Sequence, residues 1–192
     1  MVFSKIKFTI TVIQNTGGTI APGTTQVEYG ADIAFTITPL TSHRIETVKV
    51  DGGSYGPITN HTFRDVKSNH IIEALFAVKT FKITVICDEG SYSKPGTIEV
   101  ACGASQTFTF GTADGKFISD VKIDHESKGQ QSSWTLSDIE ADHLIEVFSQ
   151  WRTFEIVESH DTGGKVFING QLNPGKVLVK WGISHNVRCE IG

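Results

Sequence analysis

Residues 8–13 read Phe-Thr-Ile-Thr-Val-Ile, and 73 positions later residues 81–86 read Phe-Lys-Ile-Thr-Val-Ile. Both stretches alternate apolar with polar side chains, the period of an extended strand whose two faces meet different surroundings. Laying residues 8–80 on 81–153 needs no gap and gives 26 identities in 73 positions. The matches run through turns as well as strands: Gly17 falls on Gly90, Pro22-Gly23-Thr24 on Pro95-Gly96-Thr97, Gly30-Ala31 on Gly103-Ala104 and Asp51 on Asp124. The chain is a tandem repeat. A third copy starts in step at Phe154 and takes in six extra residues around Lys165–Lys176. It resumes with Val179-Lys180-Trp181-Gly182 in the places of Val27-Glu28-Tyr29-Gly30, and Gly192 falls about halfway through the period. The domain division is 8–80, 81–153 and a partial copy at 154–192.

Within copy one the alternation predicts strands at 8–13, 24–29, 33–37, 45–50, 58–63 and 71–76. Gly17-Gly18 and Pro22-Gly23 bracket a turn, and Asp51-Gly52-Gly53 forms a hairpin-type turn. Six or seven short strands in 73 residues is the spacing of a small sandwich, and no window carries a helical stripe. The fold class is all-β: tandem small Ig-like β-sandwich repeats with a partial third repeat, or, as an alternative, β-grasp-like repeats. The expected core of copy one is Phe8, Ile10, Val12, Val27, Phe35, Ile37, Val48, Val50, Phe63 and Ile72. No Gly/Ser/Pro linker parts the copies, so a stiff array is expected.

Composition narrows the function classes. Seventeen basic against 21 acidic residues give a net charge of −4, and no basic run marks a nucleic-acid footprint. No stretch approaches the roughly 20 apolar residues of a membrane-spanning helix. Met1-Val2-Phe3-Ser4-Lys5 lacks the order of a secretory signal. That absence suits a protein assembled inside a cell and released by lysis, hence a virion location.

The succession Gly-Gly, Pro-Gly-Thr, Val-Glu-Tyr-Gly, Phe-Thr-Ile-Thr-Pro, Val-Lys-Val-Asp-Gly and Asn-His-Ile-Ile-Glu in copy one resembles the divergent internalin-type B-repeats of bacterial surface proteins. The resemblance covers residues 8–153 and part of 154–192. It implies spacer and display modules of large adhesins and a cell-surface setting. Modules of this kind also occur on phage virion proteins.

Chemistry-bearing residues point the same way. Cys87 shares the inward parity of Ile83 and Val85, and Cys102 that of Ile98 and Val100. They read as buried thiols, or as a disulfide across a hairpin in an oxidising setting. Cys189 takes the slot of Ile37, and Trp181, in that of Tyr29, is expected inside. His70 and His143 recur at one place in the repeat, which favours fixing a turn over binding a metal. Asp120, Asp124, Glu126, Asp138, Glu140 and Asp142 form no calcium loop. No nucleophile elbow or Cys/His motif appears, so no catalytic, cofactor or metal residue is assigned. Trp151, at the border between copies, is expected to pack there, with a surface glycan as the rival role.

The half copy carries the sharpest expectation. Some 39 residues are too few for a secure core, so Phe154, Ile156, Trp181, Val187 and Ile191 are candidate contacts for a protein partner, a capsid or tail protein or a symmetry mate.

Overall fold

The computed structural model describes residues 5–157, 165–168, 171–172, 176–180 and 187–190. Copy one is built from β1 (Lys7–Gln14), β2 (Gly18–Ala21), β3 (Thr25–Glu28), β4 (Ile33–Pro39), β5 (His43–Val50), β6 (Gly53–Gly56), β7 (Asn60–Phe63) and β8 (His70–Val78). Eight strands, not six or seven, make the unit. The residues between Gly17 and Pro22, expected as a turn, form β2, which pairs antiparallel with β4 from Gly18↔Pro39 to Ala21↔Thr36. The Gly-rich stretch after Asp51 adds β6 against the end of β5.

Two sheets result, one of five strands in the order β3-β1-β8-β5-β6 and one of three in the order β2-β4-β7. Their inner faces share one core: Ile10, Val27, Val48 and Ile72 from the larger sheet meet Ile20, Phe35, Ile37 and Phe63 from the smaller. Phe35 is fully buried and takes Phe63 edge-on at 5.8 Å between ring centroids, the packing that aromatic quadrupoles favour. Phe8 and Val12 stand at the margin, half-buried against that core. The unit is a β-sandwich.

One pairing departs from the antiparallel pattern of an immunoglobulin sandwich. The first and last strands are neighbours and run parallel, from Ile10↔His70 to Gln14↔Ala74. The chain therefore enters the unit at one pole and leaves it at the other.

Copy two repeats this with β9 (Thr80–Cys87), β10 (Ser91–Lys94), β11 (Ile98–Ala101), β12 (Gln106–Thr112), β13 (Lys116–Ile123), β14 (Glu126–Ser127), β15 (Ser133–Leu136) and β16 (His143–Trp151). The sheet orders are β11-β9-β16-β13-β14 and β10-β12-β15, with β9 parallel to β16. Copy three supplies β17 (Thr153–Val157), β18 (Lys165–Ile168), β19 (Gln171–Leu172), β20 (Lys176–Lys180) and β21 (Val187–Glu190). Its registers are those of copy one: Phe154↔Val179 restates Phe8↔Val27, and Val166↔Cys189 restates Ile20↔Ile37. By compactness the chain divides into two units. The first comprises Met1–Phe81 with Val100–Ala104 and Ser137–Ala141; the second comprises Lys82–Glu99, Ser105–Leu136 and Asp142–Gly192. No helix occurs among the described residues, and none is long and apolar enough to cross a membrane.

Cys87 and Cys102 are free thiols, half-buried rather than fully buried, and the alternative of a disulfide between them is not formed. Cys87 ends β9 opposite Val147, whereas the Cys102 N–H bonds to the Lys79 C=O, just ahead of that strand. Eight residues of extended chain, roughly 26 Å, part the two pairing positions, against a Cα separation of at most about 7 Å in a disulfide. Inward parity holds for both cysteines, but they serve opposite ends of one strand.

Candidate functional site

The polar group that recurs most faithfully lies where β5 hands over to the turn before β6. Asp51 adopts a left-handed conformation, φ 49°, as does Asp124 at 51°, a region aspartate tolerates better than most side chains. The Asp51 N–H donates to the Ile71 C=O. Its carboxylate receives the Ile71 N–H at 2.9 Å on Oδ1 and lies 2.7 Å from His70 Nδ1 through Oδ2. Copy two repeats the arrangement at Asp124, Leu144 and His143 with the same two distances. Burial acts to raise each carboxyl, but the histidine and the backbone N–H outweigh it, and both aspartates end below their ordinary value.

Ser68 completes a Ser-His-Asp sequence of contacts in copy one, its Oγ 3.4 Å from His70 Nε2. The same order of groups serves acyl transfer in many folds. Copy two lacks the first member of this sequence. Ala141 stands where Ser68 would be, while the Asp124–His143 pair keeps its geometry. The pair is conserved between copies without the nucleophile, and each aspartate's second oxygen is already engaged by a backbone N–H. It clamps the turn onto the first residues of β8 or β16. A fluorophosphonate probe is accordingly expected to leave the intact mass of the chain unchanged; a modified Ser68 found by peptide mass spectrometry would show that it is an activated nucleophile.

The other recurring polar positions serve the backbone too. Asn69 and Asp142 accept the Thr9 and Lys82 N–H, each at 2.8 Å. Thr24 and Thr97 accept the Val12 and Val85 N–H, each at 3.0 Å. Asn15 Oδ1 accepts the Phe76 N–H at 2.9 Å while its Nδ2 donates to the Phe76 C=O. In copy two, Asp88 receives the Ser149 N–H at 2.7 Å and the Ser149 hydroxyl. An identity count passes over that pair, because Asn has become Asp; the signal lies in the retained acceptor.

The acidic residues of copy two are spread over strands and turns, with Asp120 inside β13 and Glu126 opening β14. Asp120 accepts from the Ser127 hydroxyl and the Gly129 N–H, and Glu126 pairs with Lys128. Among the described residues no three His, Cys, Asp or Glu side chains gather to hold a metal ion. His61 and Trp134 occupy one slot. In copy one the Tyr55 ring sits 5.3 Å from His61, and in copy two the Lys128 ammonium lies 5.8 Å over Trp134, so the contact survives a change of both partners.

Of the candidate contacts in the half copy, Phe154 lies on β17 and is half-exposed, Ile156 follows on the same strand, and Val187 opens β21. Trp181 and Ile191 lie outside the described residues. Tyr29, whose slot Trp181 shares, is 57% exposed rather than packed inside; it leans on Phe8, with the Lys67 ammonium 5.9 Å over its ring. Trp151 is also largely exposed, with the Lys116 ammonium 5.3 Å from its ring. A shallow recess of about 320 Å³ beside it is lined by Phe117, Arg152, Thr153 and Phe154. No family model, curated protein or solved structure matches this chain.

Proposed function

We propose that the chain is a non-enzymatic structural and interaction protein, a virion component of the capsid-decoration or tail-associated kind, whose β-units project from the particle. The parallel pairing of first and last strand supports this most directly. Within such a unit the points of entry and exit stand a strand's length apart, roughly 30 Å for nine residues such as β8. The engagement of the recurring Asp, Asn and Thr side chains by backbone groups supports it too, since such residues serve to fix strands and turns. The likeness to internalin-type repeats fits the same role at a bacterial cell surface, with glycans as ligands.

Immunogold electron microscopy with antibodies against residues 8–153 separates the settings. Label is expected on particles purified after lysis and not on intact cells. Label confined to cells would move the protein to the adhesin class, and a hydrolytic activity of the purified chain would overturn the non-enzymatic reading.

A further inference from the structure

In copy one, β6 is an edge of the larger sheet and β7 an edge of the smaller. Their side chains meet: the Tyr55 ring takes His61 edge-on at 5.3 Å between centroids. His61 in turn stands edge-on to Phe63 at 4.7 Å, and His70 packs on Phe63 at 4.9 Å with a tilt of 37°. Phe63 belongs to the core, whereas Tyr55 is largely exposed. The half-buried His61 ring therefore closes this side of the sandwich. Copy two closes the same side with other groups. Lys128, Trp134 and Leu136 replace Tyr55, His61 and Phe63, and the Lys128 ammonium lies over the Trp134 ring.

We propose that His61 is an acid-sensitive latch: its neutral ring holds β7 to β6, and its protonation loosens this flank in copy one alone. An imidazole changes charge near neutral pH, and the Trp134 indole in the same slot of copy two does not. The charged groups that face His61 are Asp51, in the turn after β5, and His70, which opens β8. From β4 the residue opposite is Phe35, and from β6 the neighbour is the Tyr55 phenol. Asp51 is already committed, its Oδ1 to the Ile71 N–H and its Oδ2 to His70. Burial pushes the His61 imidazole below its ordinary value; Asp51 draws it up, and His70 pushes it down again. The folded unit thus favours the neutral ring, and the unfolded chain takes the proton first. The contribution of His61 is whole above the ordinary histidine range and is lost as the pH falls through it towards the lower folded value. The two copies, alike in fold, answer mild acid differently.

The test follows the full chain by NMR from pH 7.5 to pH 5, a window above the ordinary aspartate range. Amide protection, corrected for the intrinsic pH dependence of exchange, is expected to fall at least about threefold along β7 and to hold along β15. The His61 ring should titrate below histidine in the unfolded chain. His61→Trp, which installs the residue that copy two already uses there, and His61→Phe should each abolish the fall. Protection that holds along β7, that falls equally along β15, or that still falls in either folded variant would overturn the latch. So would a His61 ring that titrates at or above the unfolded value, a readout that needs no variant.

Discussion

Substituting valine for Gly18 should cost the first unit about 3 kcal/mol, a large share of the 5–15 kcal/mol that holds a domain together. A Cβ on Gly18 would come within 2.3 Å of Phe76 Cε1 and 2.4 Å of Cζ. Phe76 is 3% exposed and belongs to the core, so its ring has nowhere to retreat. Copy two shows the alternative solution: Ser91 replaces Gly18 and Ser149 replaces Phe76, with both hydroxyls gathered around Asp88. Gly18→Ser alone should therefore be strongly destabilising, and far less so in a Phe76→Ser background. A double-mutant cycle by calorimetry tests this, with a coupling of at least about 1 kcal/mol expected. Simple additivity would mean that the glycine is not there to admit the ring. Gly111 plays the same part beneath Tyr92, where an added Cβ would lie 2.3 Å from the ring, and the matching cross-strand pair in copy one is Thr19↔Thr38.

Asp51→Ala should cost roughly 1–3 kcal/mol, because the Ile71 N–H loses its side-chain acceptor, His70 loses its partner, and alanine is less at ease at positive φ. Asp124→Ala should do the same in the second copy. Asparagine at either site should cost less, since it tolerates the left-handed backbone and keeps an oxygen for the N–H. The acid limb of stability carries a related signature. Both carboxyls are lowered in the folded state, so the unfolded chain binds their protons first. Their contribution is present above the ordinary aspartate range and is lost as the pH falls through the folded values. Thermal unfolding followed from pH 5 to pH 2 should thus fall less steeply in the Asp51→Asn/Asp124→Asn chain. An unchanged slope would remove the clamp from the account of acid stability.

Much of the architecture was legible in the residues because the repeat is an internal alignment. Alternation in one copy, checked against its counterpart, located Ile10, Val27, Phe35, Ile37, Val48, Val50, Phe63 and Ile72, all buried. The short β2 and β6 were not legible, since Gly17-Gly18 and Gly52-Gly53 read as turns and the pairing that makes them strands lies far along the chain. Nor does a periodicity of two say which strand lies beside which. The neighbouring of β1 and β8, and of β9 and β16, follows from topology alone. The Ser68 contact with His70 was hidden for another reason: it occurs in one copy only, and a search for recurrence discards it.

The side-by-side run of β1 and β8 also decides how a copy answers a mechanical load. Tension on its two ends drags these strands past each other along their common ladder, from Ile10↔His70 to Gln14↔Ala74. The hydrogen bonds then carry the force in shear and must give way together, where a hairpin pulled from its open end would unzip them singly. Each repeat therefore resists most strongly along the direction in which its own chain enters and leaves it.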